Sequence, residues 1–256
     1  MIDYISKANF NRLRKLNNPR YRDTKAENFD VLLEGERLIS QVILNGHLIK
    51  EIYTTEKAIR TCEKTIQKLS CPIYLIRDSQ ADELSETQNS QGLFAVIEFQ
   101  TLQISKWDRL LYLNGISDPG NLGTIIRTAA SFSIDGIVLD ENCCDIANSK
   151  VIRASLGAVF EVPFYMGNEE WLFSRKEKII VSDVHGGKQL DQYAFPKSSF
   201  IFVIGSEAEG VSQPIINRAD EIVNITSSGK MESLNVAVAT GIFLYKMNSD
   251  LSNKQG

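Results

Sequence analysis

Histidine is nearly absent: the chain of 256 residues holds two, His47 and His185. Its four cysteines, Cys62, Cys71, Cys143 and Cys144, form no CxxC pair. Together these speak against a structural zinc site; no metal is expected, and the thiols are read as buried and reduced. No apolar run approaches the roughly 18 residues that span a membrane. The longest candidate, Val236–Leu244, is short and contains Gly241. The first residues lack an apolar signal core, because Lys7, Arg12, Arg14 and Lys15 come at once. A cytoplasmic location without a membrane partner is therefore expected. Strong net charge is missing too. Lys and Arg number 28 against 32 Asp and Glu, a balance of −4, which argues against a uniformly basic nucleic-acid binder. There is no internal repeat and no low-complexity segment.

The mean charge hides an asymmetry. Residues 1–25 carry Lys7, Arg12, Arg14, Lys15, Arg20, Arg22 and Lys25 against Asp3 and Asp23, a local balance of +5. Tyr4, Phe10 and Tyr21 lie among them. Basic groups interleaved with aromatics suit a phosphate backbone with exposed bases. Taken alone, the segment reads first as a solvated helix whose aromatics face the core.

Apolar periodicity divides the chain into two α/β units with a boundary near residue 105. In the first, helical spacing covers Tyr4–Leu16, Glu36–Leu44, Glu56–Leu69 and Ser79–Thr87. Strands are expected at Val31–Leu33, Ile49–Thr54, Ile73–Ile76 and Gly92–Phe99. In the second, strands are expected at Leu110–Asn114, Gly136–Leu139, Phe160–Phe164, Lys178–Ser182, Ser199–Ile204 and Ile222–Ile225. Helices are expected at Gly123–Phe132, Ser149–Leu156 and Ser233–Met247, with Asn248–Gly256 a loose tail. About six strands alternating with helices predict a mostly parallel sheet.

Three glycine-punctuated blocks sit where strands of this second unit end, the place where open α/β sheets bind ligands. The first, SDPGNLGTIIRTAASF (Ser117–Phe132), offers Asn121 near a helix start and Arg127 six residues on. Its GNLGTIIR spacing is neither GxGxxG nor GxxxxGK[ST], so dinucleotide and P-loop readings lack their key residues. The second, FVIGSEAEGVS (Phe202–Ser212), brackets Glu207 and Glu209 with Gly205 and Gly210. Glycines there would let the backbone meet a planar ligand, and a carboxylate could orient a partner such as Arg127. The third, ITSSGKMESLNVAVA (Ile225–Ala239), joins a polar loop to a helix expected to open at Ser233, with Asn235 in its first turn.

The order and spacing of these blocks resemble the SpoU/TrmH-type RNA ribose 2′-O-methyltransferases of the SPOUT superfamily. DPGNLGTIIRTAASF is similar to that family's first motif, IGSEAEG to its second and GKMESLNVAVA to its third. SKVIRASLGAVFEVPF (Ser149–Phe164) resembles the segment between the first two. EGERLI (Glu34–Ile39), with basic residues upstream, resembles the small RNA-binding domain of many members. The resemblance implies an RNA substrate-binding domain at 1–104 and a methyltransferase domain at 105–256, its sheet tied in a deep trefoil knot. It also implies S-adenosyl-L-methionine held by Gly205, Ile225 and Leu234, and active-site positions at Asn121, Arg127, Glu207, Ser233 and Asn235. RNA, ribosomal by the kind of accessory domain and otherwise transfer RNA, is the implied partner, together with a second copy of the chain. One departure stands out: Thr226-Ser227 occupies a place where the family usually has Pro-Met, which loosens the cofactor loop.

Overall fold

The computed structural model of the chain describes residues 2–16, 18, 21, 28–132, 134–226 and 233–252. The expectations placed on Arg20, Arg22 and Lys25, on Ser227 and on the GKME start of the third motif lie outside the described residues. The chain folds as two units. One takes Met1–Thr101 with Ala147–Phe160, the other Leu102–Ile146 with Glu161–Gly256.

The first unit contains α1 (Lys7–Leu16), β1 (Asn28–Glu34), α2 (Glu36–Leu44), β2 (Ile49–Thr54), α3 (Glu56–Thr61), α4 (Glu63–Ile66), β3 (Ile73–Leu75), α5 (Asp78–Leu84) and β4 (Leu93–Gln100). Its sheet runs β1-β4-β2-β3, with β4 antiparallel to β1 and β2 and β3 parallel to β2. The inner strand β4 is buried from Leu93 to Ile97, as the unbroken apolar run LFAVI requires. Glu56–Leu69 is two short helices rather than one. The backbone leaves helical geometry at the buried Cys62. That break points Thr65 and Ile66 inward, where the Thr65 hydroxyl donates to Glu36 at 2.8 Å. The helix Ser149–Ala154 belongs to this unit as well. Arg153 donates to Glu86 at 3.0 Å, and Ser149 to the same carboxylate at 2.5 Å.

The basic N-terminal stretch divides between the two readings open from sequence. On α1, Phe10 and Leu13 are buried against Tyr53, Phe94 and Val96. Arg12 bridges Glu51 at 2.7 Å and Asp30 at 2.8 Å, and Arg14 pairs with Glu83 at 2.9 Å. These two guanidinium groups are engaged within the chain. Tyr4 is not on the helix; it bridges β3 at Leu75 and is 55% exposed.

The second unit contains β5 (Arg109–Asn114), α6 (Pro119–Ser131), β6 (Gly136–Leu139), β7 (Phe164–Met166), α8 (Glu169–Phe173), β8 (Lys178–Ser182), β9 (Lys188–Gln189), β10 (Phe200–Gly205), α9 (Gln213–Arg218), β11 (Glu221–Asn224) and α10 (Val236–Ser252), and the helix at Ser149–Ala154 takes the label α7. All seven strands are parallel, in the order β7-β6-β5-β10-β8-β11-β9. The late strand β10 lies between β5 and β8. It is buried throughout, as a central strand with both faces covered must be. The short strand β9 and helices α8 and α9 carry too few residues to show a period in the sequence. The strand expected at Phe160–Phe164 begins only at Phe164, because Ala158–Phe160 closes a 3-10 turn. Helix α10 outruns its expected end at Met247. Lys246 and Asp250 pair at 2.6 Å along it, and Asp250 also accepts from the Phe195 amide at 3.1 Å. Among the described residues no helix is long and apolar enough to cross a membrane.

Burial pushes the Asp30 carboxyl up, but hydrogen bonds from Lys50 and Arg12 outweigh it and hold the group below its ordinary 3.8. A depressed carboxyl adds stability above its ordinary value and loses it as pH falls through the lower folded value. Arg12→Ala should therefore cost about 1 kcal/mol near neutrality, a figure set by the partly exposed pair. The difference from wild type should shrink below pH 4 in denaturant titrations followed by circular dichroism.

Candidate active site

Strand β5 ends in a buried polar pair. The Asn114 amide donates to Asp140 Oδ2 at 2.7 Å, and its Oδ1 accepts from the Ser212 backbone amide at 2.8 Å. Asp140 Oδ1 takes the backbone amides of Gly115 and Asn142, each at 3.0 Å. Two side chains thereby hold the loops after β5, β6 and β10. The Cys143 thiol lies in the same network, donating to the Leu113 carbonyl at 3.3 Å and accepting from the Ile116 amide at 3.3 Å. Burial, with help from Asp140, pushes that thiol up to about 12. It is an inert structural group rather than a nucleophile.

Beyond β5 the chain enters α6 through Asp118, whose carboxylate accepts from the Asn121 amide at 2.9 Å while Pro119 starts the helix. This start comes four residues before the expected Gly123. Beyond β10, Ser206 and Gly210 exchange backbone hydrogen bonds at 3.1 and 3.0 Å and pinch off the loop carrying Glu207. A Cβ on Gly205 would meet the Gly210 carbonyl carbon at 2.0 Å. Gly205 is therefore required by the loop's own close approach, a demand separate from any contact with a ligand. At α10 it is Asn235, not Ser233, that caps. Its Oδ1 accepts from Ala237 at 3.0 Å and Val238 at 3.3 Å, and the helix opens at Val236. Asparagine caps as well as serine does, so two candidate caps two residues apart left the choice to the packing.

The three blocks converge through side chains. The Asn235 amide donates to Asn121 Oδ1 at 3.0 Å and to Glu207 Oε1 at 3.1 Å, and Asn121 in turn donates to Glu207 Oε1. Arg127 stands outside this triad. It lies about 9 Å along α6 from Asn121, exposed, and its guanidinium has no ion-pair partner among the described residues. Ser233 is exposed as well. Gly205 ends β10 and Ile225 follows β11, on either side of β8 in the sheet. Val184, just beyond β8, is 59% exposed, and Leu234, beside Asn235, is 39% exposed.

Among families of known proteins, the description "SpoU rRNA Methylase family" fits residues 108–245. The chain belongs to the SpoU rRNA methylase family. Residues 8–95 match the MRM3-like substrate binding domain. The 23S rRNA (guanosine(2553)-2′-O)-methyltransferase RlmP of Bacillus subtilis is 28% identical, over 91% of this chain and 93% of its own. A TrmH-family protein of known structure from Porphyromonas gingivalis is 26% identical and superposes with a TM-score of 0.76, covering 94% of this chain and 97% of its own. The SpoU methyltransferase AviRb of Streptomyces viridochromogenes, solved with AdoMet, shares the fold at 21% identity and a TM-score of 0.80, over 96% and 98% of the two chains.

Of the residues expected at the site from the resemblance, Asn121, Glu207 and Asn235 are brought together by hydrogen bonds. Asn114, Asp140 and Ser212, which hold the surrounding loops, were passed over. Asn114 and Asp140 did leave a signal: each is the first polar residue after an apolar strand, in LLYLN and GIVLD. In Gly205→Ala the added methyl has no room, and the loop bearing Glu207 must move. Displacement by about 1 Å in such a site costs on the order of 100-fold in rate. The variant should lose methyl transfer on that scale while the far-ultraviolet circular dichroism spectrum stays like wild type; full activity would show that the loop tolerates the shift.

Proposed function

We propose that the protein is an S-adenosylmethionine-dependent methyltransferase acting on a ribose 2′-hydroxyl of ribosomal RNA. The hydrogen-bonded meeting of Asn121, Glu207 and Asn235 carries this reading, because it joins three separated family motifs at one edge of the sheet. The B. subtilis relative, named for a 23S rRNA position, favours ribosomal over transfer RNA. Residues 1–104 would select the RNA and 105–256 would carry the reaction. The place of β10 between β5 and β8 suits a chain threaded into a trefoil knot. A cytoplasmic setting accords with such a substrate.

S-adenosylmethionine, when bound, supplies the methyl group on a sulfonium, and the backbone at Gly205, Ile225 and Leu234 would hold it. The chain's own task is to place the hydroxyl in line and to assist loss of its proton. The triad fixes the loops that frame the ribose, and Ser233 lies one residue from the Leu234 contact. Arg127 chiefly grips the neighbouring phosphate and stabilises the developing alkoxide. A guanidinium is a poor base in water. The phosphate itself, or an arginine desolvated by bound RNA, takes the proton.

Helix α10 favours a homodimer. Val238, Ile242 and Tyr245 are 53%, 38% and 67% exposed and recur at helical spacing, with Leu234 preceding them. A second copy of the same face would cover them. Val238→Glu with Tyr245→Glu should turn the dimer into a monomer in light scattering; an unchanged mass would place the subunit contact elsewhere.

S-adenosylmethionine should raise the thermal midpoint and NAD should leave it unmoved. Cells lacking the gene should lose a 2′-O-methyl mark in ribosomal RNA, and an unaltered methylation map would refute the assignment. Arg127→Lys should lower turnover by about tenfold or more, since lysine cannot make the two-pronged contact. Near-normal turnover by the lysine variant would remove that contact from the mechanism.

A further inference from the structure

Arg12 and Arg14 are held in ion pairs within the first unit, which leaves open where that unit grips RNA. An open cleft of about 550 Å³ in the same unit is lined by Tyr4, Lys57, Arg60 and Arg77, together with Glu56 and Asp78. It sits beyond the carboxyl ends of β2 and β3, where the chain turns into α3 and α5. Unlike Arg12, the side chains of Lys57, Arg60 and Arg77 form no ion pair with the described residues. Tyr4 is 55% exposed, and its hydroxyl donates to Glu56 at 2.9 Å, which anchors the ring at the cleft's rim. Glu56 and Asp78 are the two acidic groups of the lining, set against three cations.

We infer that this cleft is a subsite for single-stranded RNA, in which a base stacks on Tyr4 while Lys57, Arg60 and Arg77 hold the flanking phosphates. The inference rests on the proposed action on RNA and gives the substrate-binding unit a specific contact. Three unpaired cations around an anchored, exposed aromatic ring are the combination that binds unstacked bases and their backbone. Duplex RNA, whose bases are not available for stacking, fits the cleft less well. An acidic protein segment would use the cations and leave the ring idle.

The test uses the full chain, a mixed-sequence single-stranded RNA oligonucleotide and fluorescence anisotropy across a salt series. Each phosphate contact in a single strand adds about 0.7 to the slope of log affinity against log salt. Arg60→Ala with Arg77→Ala should therefore flatten the slope by about 1.4, and Arg60→Lys with Arg77→Lys should restore it. Tyr4→Ala should weaken binding about tenfold, and Tyr4→Phe, which keeps the ring, should recover most of that loss. Wild-type slopes and affinities in the alanine variants, with an unchanged circular dichroism spectrum, overturn the subsite. Loss of affinity that lysine or phenylalanine does not recover overturns it too. Methyl transfer by wild type to ribosomal RNA is read in parallel. Its absence would overturn the assigned activity, while the binding comparison still decides the cleft.

Discussion

Glu207 accepts hydrogen bonds from the side-chain amides of Asn121 and Asn235, and through that one carboxylate the three glycine-bearing loops close on each other. The arrangement is self-consistent in direction. Asn235 must turn its oxygen towards Ala237 and Val238 to cap α10, so its nitrogen is left facing Asn121 and Glu207. An ionised carboxylate is acceptor-only, and both neighbours present donors to it. One asparagine thereby starts the final helix and ties that helix to the other two motifs.

Exposed hydrogen bonds alone hold side chains weakly, since water competes for every partner. The rigidity of the triad comes from below it. Asn114 and Asp140 are buried and hydrogen-bonded, and the loops after β5, β6 and β10 each receive at least one of their bonds, while, among the described residues, the loop after β11 is tied in through Asn235 alone. Removing either would leave a buried polar partner unpaired, at roughly 1–3 kcal/mol, more where the orphan is charged. Two layers result, an open one formed by the triad and a buried one that holds the loops after β5, β6 and β10 in place. Gly205 belongs to the second layer, because the space for its missing side chain is filled by the backbone at Gly210 and Val211.

The sequence carried the parallel sheet, several strands to the residue and the three motifs, because each of these has a local signature. Strands such as Ile49–Thr54, Gly136–Leu139 and Lys178–Ser182 are short apolar runs with abrupt ends. What it did not carry depends on residues distant in the chain. The pairing of Arg12 with Asp30 and Glu51 appears only when β1 and β2 come beside α1, so a basic stretch and a free basic surface look alike in one dimension. The attachment of Ala147–Phe160 to the first unit is likewise non-local. The cap at Asn235 was local but ambiguous, because Ser233 offers the same chemistry two residues earlier.

The same distinction bears on the proton. At neutral pH, taking a proton from guanidinium costs roughly 7 kcal/mol, from the five or more pH units that separate it from its ordinary titration range. Only strong desolvation reduces that cost, and Arg127 is exposed on α6, away from the buried layer. Under the proposed mechanism a guanidinium so placed can meet an arriving phosphate. If an arginine serves as base here, the RNA itself must supply the burial, and chemistry is then coupled to correct docking of the substrate. The exposed position of Arg127 thus makes its proposed role a property of the complex rather than of the chain alone.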